Sequence, residues 1–243
     1  EIFSAHSEAS AAASVTMGAI TGLALGLGKP GLDLRIAGGL GGVASAAPSF
    51  AMWQISRTVR NSPVLTEEFN AGLIGLEARL LAVKDTEFNT AFSRLLELYG
   101  SRGPNEWELR SQTWETHPEL ALTLIDRMRL AEDDQDPQIR HQEAKERSSI
   151  ALSELRTMVS ADETSAGTLE IAVTSSSVFI PARENAKTAI VKVVHEVRLA
   201  ALELGRRLSE DGRLEHQKHI FMLQDKELEE AIAGNMTKEA SDR

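Results

Sequence analysis

The chain has 243 residues, of which 36 are acidic and 26 are basic, so its formal net charge is -10 and its sequence pI is about 5.2. Nucleic acid is a poor partner for such a surface, because phosphate binding needs a concentrated basic face. The absence of cysteine excludes a disulfide framework, a cysteine-ligated zinc site and a thiol nucleophile, and we expect a cytoplasmic location.

Residues 1–48 form an N-terminal segment rich in Ala and Gly. It carries no initiator methionine and no basic or apolar leader, so we expect the chain to be a fragment of a larger protein. Its most apolar stretch, residues 11–27, falls short of the about 20 apolar residues of a spanning helix, so we expect no membrane contact. Glycine-containing breaks at 28–31 and 38–42 predict closely packed helices joined by loops.

Helical periodicity dominates the rest of the chain, and no run of alternating Val, Ile and Thr predicts a pair of strands. The pattern and its boundary signals predict helices over 49–60, 66–83, 86–99, 118–130, 137–159, 163–208 and 225–233. Pro181 predicts a break or kink near Ile180 in the longest of them. Only residues 219–223 suggest an extended segment. We therefore predict an all-α fold, an irregular multi-helix bundle with at most one short strand.

This bundle is predicted to form a single domain over residues 1–243, with a frayed tail over 235–243.

The sequence contains no convincing motif for a nucleotide site or a metal site. Gly26-x-Gly28-x-x-Gly31 matches the dinucleotide fingerprint by letter, but Pro30 lies inside it and no strand precedes it. The six histidines form no metal motif, and we expect them to be surface or core residues; His195 lies in an apolar helix.

Two segments concentrate polar chemistry. The first, residues 99–108, follows a helix end and contains Arg102 and Glu106. On composition alone it is either a structural turn held by an Arg102–Glu106 pair or a binding loop. The second, residues 183–187, reads Arg-Glu-Asn-Ala-Lys. Its two cations are four residues apart on a helix and repel each other by roughly 0.2–0.5 kcal/mol, so it is either a solvated face or a site presented to an anion.

Both segments resemble a known family. Residues 99–119 read Tyr-Gly-Ser-Arg-Gly-Pro-Asn-Glu-Trp-Glu-Leu-Arg-Ser-Gln-Thr-Trp-Glu-Thr-His-Pro-Glu. This run resembles the Gly-His-Arg-Gly…Glu…Pro-x-Trp…Pro-Glu signature of phosphoenolpyruvate-synthase-like proteins and rifampicin phosphotransferases. Residues 183–187 look like the Arg-Glu-x-x-Lys helix of the same family, and the resemblance extends over 38–232. Ser101 stands where the family commonly has His, so the role of that imidazole is lost or transferred.

The resemblance implies a central helical substrate-binding domain of an ATP-dependent, dikinase-type phosphotransferase. In that family an ATP-grasp domain phosphorylates a histidine on a swivelling domain, which then passes the phosphoryl group to an acceptor. The implied partners are therefore a small-molecule acceptor and the ATP-grasp and phosphohistidine domains of a parent chain. No cofactor or metal is expected in this chain, and ATP and Mg are expected on the missing ATP-grasp domain. By itself the chain would not be catalytically complete.

By the same resemblance, Arg183 and Lys187 are transfer residues, Glu184 orients one of them, and Arg102 and Glu106 shape the site. Lys192 and Arg198 are expected on other parts of the same helical surface.

An apolar acceptor pocket between helices is also expected. Phe50, Met52 and Trp53 are its candidate wall, the alternative being that they pack the core. Three functions stay open: a phosphotransferase acting on a rifamycin-like antibiotic or another hydroxyl-bearing molecule, which we prefer; a related phosphoenolpyruvate-synthase-like dikinase or ligase; and a non-catalytic helical binding protein.

Overall fold

The computed structural model describes residues 1–40 and 45–235 of the chain. The described residues form α-helices and short 3-10 helices without a strand, which confirms the predicted all-α fold. Part of the 38–42 glycine cluster and the predicted tail from residue 236 lie outside the described residues.

The α-helices are, in chain order, α1 Ile2–Gly26, α2 Leu32–Leu40, α3 Ala47–Asn61, α4 Pro63–Asn70, α5 Leu76–Val83, α6 Thr86–Tyr99, α7 Glu119–Arg129, α8 Pro137–Val159, α9 Glu163–Glu210 and α10 Asp225–Ala233. Short 3-10 helices span Asp133–Gln135 and Gln217–Met222. The predicted extended segment at 219–223 is therefore wrong. His216 accepts the backbone N–H of Lys218 at 3.1 Å, and this cap begins a helical turn.

The helix predicted over 66–83 is two helices, α4 and α5. Gly72 and Gly75 between them have φ values of 99° and 66°, which a helix cannot contain and which glycine adopts without steric cost. Arg79 fixes this turn, because its guanidinium donates to the carbonyl oxygens of Ile74 at 2.6 Å and Glu68 at 2.8 Å.

Helix α9 passes Pro181 without interruption, so the helix does not break at that proline, and the alternative of a kink stays a prediction. A proline removes one backbone N–H from the helix ladder and crowds the preceding turn. The long helical segments on both sides of Pro181 keep their own backbone hydrogen bonds. These bonds stabilise the helix although Pro181 cannot donate one.

The chain divides into two compact units. The first consists of Glu1–Leu98 and Glu119–Ile190, and the second of Tyr99–Pro118 and Val191–Arg243. Helix α9 thus contributes its first part to one unit and its second part to the other. The expectation of a single domain over the whole chain stays a prediction.

The core of the first unit is built where α1, α2, α8 and α9 meet. Ile20, Ile36, Leu155 and Leu169 are fully buried there, and each such side chain contributes about 1.5–3 kcal/mol relative to an exposed one. Gly39 permits the approach of α2 to α8, since a Cβ at this position would lie 2.3 Å from the Cβ of Ser148.

Helix α1 is long and apolar enough to cross a membrane, by length and composition alone. It has 25 residues, and its most apolar window has a mean hydropathy of 1.4 with 22% of that window buried. The helix begins at Ile2, well before the stretch at 11–27 that the sequence singles out. A core helix and a signal sequence pass the same test, so the absence of membrane contact stays a prediction.

Candidate functional site

The predicted transfer segment lies on α9, in the first unit. Arg183 donates to one carboxylate oxygen of Glu184, from Nη2 at 2.7 Å and from Nε at 3.2 Å. The two side chains are 41% and 21% exposed, and a pair this accessible adds little to stability, about 0–1 kcal/mol. Lys187 is half-buried one helical turn further on. The contact between Arg183 and Glu184 is therefore present, while the transfer role of the segment stays a prediction.

His6 is a neighbour of this segment that sequence reasoning missed. It lies on α1, and its Nδ1 is 3.3 Å from the backbone carbonyl oxygen of Arg183. A carbonyl oxygen can only accept, so Nδ1 carries the proton in this contact. The two residues are 177 positions apart, and no local spacing could have signalled that they meet.

The three predicted wall residues lie on α3. Met52 and Trp53 are each 3% exposed, and the guanidinium of Arg57 stacks over the Trp53 ring at 4.0 Å from its centroid. Phe50 meets the ring of His141 edge-on at 5.8 Å. These are contacts of packed helices, as the core-packing alternative requires, and the role as an acceptor wall stays a prediction.

The loop between α6 and α7 belongs to the second unit and folds back on itself. The backbone N–H of Trp114 donates to the carbonyl oxygen of Arg102 at 2.8 Å. Gly103 allows this closure, because a Cβ there would lie 2.4 Å from the carbonyl oxygen of Gln112. Arg102 and Glu106 form an ion pair at 3.1 Å, with side chains 20% and 9% exposed. The predicted pair thus exists inside a closed loop, and its part in binding a substrate stays a prediction.

Arg198 holds this loop from α9, within the second unit. Its guanidinium donates to three loop carbonyl oxygens: Glu106 at 3.2 Å, Glu108 at 3.0 Å and Leu109 at 3.1 Å. Arg198 is only 1% exposed, so the expectation that it lies on the helical surface is wrong. Burial lowers the pKa of Arg198 below its ordinary value, and the carboxylate of Glu108 acts in the opposite direction.

His195 completes the buried cluster. Arg198 Nη1 is 3.0 Å from His195 Nδ1, and a guanidinium can only donate, so Nδ1 is the acceptor. The proton of the neutral imidazole is then on Nε2, which lies 2.9 Å from a carboxylate oxygen of Glu115. Both ring nitrogens are occupied and the residue is 3% exposed. This cluster therefore fixes the loop.

No group of three or more His, Asp and Glu side chains within 1–40 and 45–235 could hold a metal ion. The expectation that this chain itself holds no metal or cofactor stays a prediction. ATP and Mg stay expected on a separate ATP-grasp domain.

Comparison with known protein families supports the resemblance that the sequence shows. A family model described as the rifampicin phosphotransferase fourth domain matches residues 5–184. Because the match covers more than half of the chain, the chain belongs to this family, and the resemblance found in the sequence is confirmed. The matched range contains Arg102, Glu106, Arg183 and Glu184, and it ends before Lys187. No curated protein matches the chain.

Proposed function

We propose that this chain is the substrate-binding domain of an ATP-dependent, dikinase-type phosphotransferase. A phosphohistidine on a separate domain gives up its phosphoryl group to a hydroxyl of a small molecule bound here, a rifamycin-like antibiotic being favoured. The observation that carries the proposal is the Arg183–Glu184 pair, one turn before Lys187 on a partly exposed stretch of α9. It lies in a chain of the rifampicin phosphotransferase fourth-domain family.

Phosphoryl transfer asks the protein to position the reactants and to neutralise charge on the equatorial oxygens. A guanidinium has five N–H donors, and Glu184 engages the Nε and Nη2 groups of Arg183. Donors remain for phosphoryl oxygens, while Glu184 restricts the rotation of the guanidinium. Lys187 adds a second positive charge on the same helix face, and two cations suit a phosphoryl group better than a single one.

The test uses an enzyme in which this chain is joined to its ATP-grasp and phosphohistidine domains. Arg183→Ala and Lys187→Ala are expected to slow transfer to rifampicin by about 10²–10³-fold. Formation of the phosphohistidine from ATP should stay unchanged, because that half-reaction takes place on other domains. Quench-flow measurement of each half-reaction with labelled ATP separates the two.

Lys192→Ala is the matched control, because Lys192 is an exposed cation on the same helix. Arg198 cannot serve as a control, since it is buried and holds a loop. Equal slowing by all three alanine substitutions, or joint loss of phosphohistidine formation and transfer, would show that Arg183 and Lys187 are not transfer residues.

If the enzyme phosphorylates other hydroxyl compounds but not rifamycins, the related dikinase or ligase is the correct function. If it phosphorylates none, the chain is a non-catalytic binding protein.

The isolated 243-residue chain gives a complementary test. It carries no P-loop and no Gly-Gly-x-x-Ser-His phosphohistidine motif, so we expect it to bind the acceptor without hydrolysing ATP. Calorimetric titration with rifampicin measures the first expectation. Incubation with ATP labelled in the β or γ position measures the second, and stoichiometric uptake of label would contradict the proposed division of labour between domains.

A further inference from the structure

A basic pocket in the second unit has no part in the proposed transfer reaction. It has a volume of about 470 Å³, within the roughly 300–1,000 Å³ of small-molecule sites. Two segments distant in sequence line it, the loop between α6 and α7 and the 3-10 helix Gln217–Met222. The lining residues are Arg110, Gln112, Lys218, His219, Phe221 and Met222.

Both walls of this pocket are built by close backbone contacts. On the loop side, Gly103 packs on the carbonyl of Gln112, and Arg198 binds the carbonyl oxygen of Leu109, next to Arg110. On the other side, Gly205 of α9 packs on the 3-10 helix, since a Cβ there would lie 2.2 Å from the carbonyl oxygen of Gln217. The backbone that presents the lining side chains is therefore fixed without any ligand.

The charge of the lining is opposite to that of the chain. Arg110 and Lys218 bring two positive charges and His219 an imidazole, and among the residues that the structure describes no carboxylate lines the pocket, although the formal net charge of the protein is -10. Neither Arg110 nor Lys218 has an ion-pair partner in the described part of the chain. Glu108 is close to Arg110 in the chain, and its carboxylate accepts the backbone N–H of Arg110 at 3.1 Å. Two such cations attract a dianion more strongly than a monoanion.

The remaining lining supplies apolar contact and an unmet hydrogen bond. Phe221 is half-buried and Met222 is 47% exposed, so an aromatic face and a thioether chain lie beside the two cations. His219 Nδ1 is buried, and in the described residues it has no hydrogen-bond partner. A buried polar atom without a partner costs free energy, which a ligand that reorients this ring can recover.

We propose that this pocket binds a small organic phosphate, a phosphate monoester carrying an aromatic or similar apolar group. Arg110 and Lys218 hold the phosphate, with His219 and Gln112 as further hydrogen-bonding groups, and the apolar group packs on Phe221 and Met222. The inference rests on the lining of the second unit, and it does not depend on the proposed transfer by Arg183 and Lys187.

Calorimetric titration of the 243-residue chain at low salt tests the proposal, with phenyl phosphate as the probe. We expect saturable binding at a single site, binding of inorganic phosphate that is about ten-fold weaker, and no binding of phenol. Arg110→Ala and Lys218→Ala should each weaken phenyl phosphate binding about ten-fold, because each removes one charge-assisted contact. Phe221→Leu should weaken the binding of phenyl phosphate and leave that of inorganic phosphate unchanged.

Lys226→Ala is the matched control, because Lys226 is an exposed lysine of the same unit on α10 and does not line the pocket. It should bind the probe like the unchanged chain, and circular dichroism should show the same helix content for all variants. The proposal is overturned if phenyl phosphate shows no saturable binding at millimolar concentration. It is also overturned if Lys226→Ala weakens binding as much as Lys218→Ala, or if inorganic phosphate binds as tightly as the ester. Rifampicin binding and phosphoryl transfer are measured separately, so this result and that of the proposed function can differ.

Discussion

Two arginines of helix α9 carry the same charge and have different surroundings. Arg183, in the first unit, is 41% exposed as a side chain and contacts the carboxylate of its neighbour Glu184. Arg198, in the second unit, is 1% exposed and donates to three loop carbonyls and an imidazole. Both are arginines in the interior of the same long helix, so the packing of each unit decides what each side chain does.

This difference separates a residue that can meet a ligand from one that holds the protein together. A cation that contacts a phosphoryl group on a ligand must be reachable from solvent, as Arg183 is. The N–H groups of Arg198 already donate to the loop and to His195. Burial of its charge costs free energy, and these hydrogen bonds offset that cost. Sequence spacing treats both as surface charges, and only the tertiary contacts of the loop distinguish them.

The largest expected effect comes from Arg198→Ala. The substitution leaves the carbonyls of Glu106, Glu108 and Leu109 and the Nδ1 atom of His195 without their donor. We expect the free energy of unfolding, measured by urea denaturation, to fall by about 3–5 kcal/mol, as for other broken buried charge networks. Arg183→Ala should change it by less than about 1 kcal/mol, because the pair that it removes is partly exposed.

Arg198→Lys sharpens this contrast. Lysine keeps the charge but cannot span several carbonyls with a rigid fork, so its stability should lie between those of the unchanged chain and the alanine variant. Equal stability of Arg183→Ala and Arg198→Ala would contradict the assignment of Arg198 as the residue that holds the loop.

A smaller effect is expected from two glycines of the same helix. Gly205 lies against the 3-10 helix, and an added Cβ would come within 2.2 Å of the Gln217 carbonyl oxygen and 3.1 Å of the Ile220 Cβ. Gly205→Ala should therefore destabilise the chain by about 1–3 kcal/mol. At Gly167 a Cβ would meet nothing within 4 Å, so Gly167→Ala should stabilise it by up to about 1 kcal/mol through helix propensity.

Thermal denaturation followed by circular dichroism measures both glycine variants under the same conditions. The two substitutions are chemically identical and lie on one helix, so opposite signs would show that packing in the second unit, and not helix propensity, decides the outcome at Gly205. Stabilisation by both alanines would contradict the close contact between α9 and the 3-10 helix.

Much of the helical framework is predictable from the sequence, because its signals are local. Helices α6 and α8 have the predicted bounds, and α8 begins where Asp136 accepts the N–H of Gln138 at 2.8 Å just before Pro137. The division of 66–83 was not predictable in the same way. Its apolar pattern is helical throughout. The break depends on the positive φ values at Gly72 and Gly75 and on the hydrogen bonds from Arg79 to the carbonyl oxygens of Ile74 and Glu68.

The candidate sites divide along the same line. The Arg102–Glu106 pair and the Arg183–Glu184 contact join residues close in sequence, and sequence reasoning named all four. The loop clamp of Arg198, the approach of His6 to Arg183 and the pocket beside Phe221 join residues far apart in sequence. Helical periodicity predicts which residues share a face of one helix, and it does not predict which loop that face will meet.

The smallest expected effect concerns a third set of arginines on α9, Arg206 and Arg207, whose side chains are exposed to solvent. Glu203 accepts hydrogen bonds from Arg206 at 2.8 Å and Arg207 at 2.8 Å. These bonds, that from Arg206 first, lower the pKa of Glu203 to about 2. A carboxylate whose pKa is lower in the folded chain stabilises it above its ordinary pKa of about 4.3, and this contribution is lost as the pH falls toward 2.

Glu203→Gln should therefore lower the thermal midpoint slightly at neutral pH, and this difference from the unchanged chain should disappear between about pH 4.3 and pH 2. Glu196→Gln is the control, because Glu196 is an exposed glutamate of the same unit and helix without an ion pair in the described residues, and it should show no such dependence. Carboxyl-carbon NMR titration measures the pKa of Glu203 directly. Identical pH profiles for the two variants would mean that the hydrogen bonds from the exposed arginines to Glu203 add nothing to the stability of the chain. Only the buried Arg198 would then contribute to stability among the arginines compared.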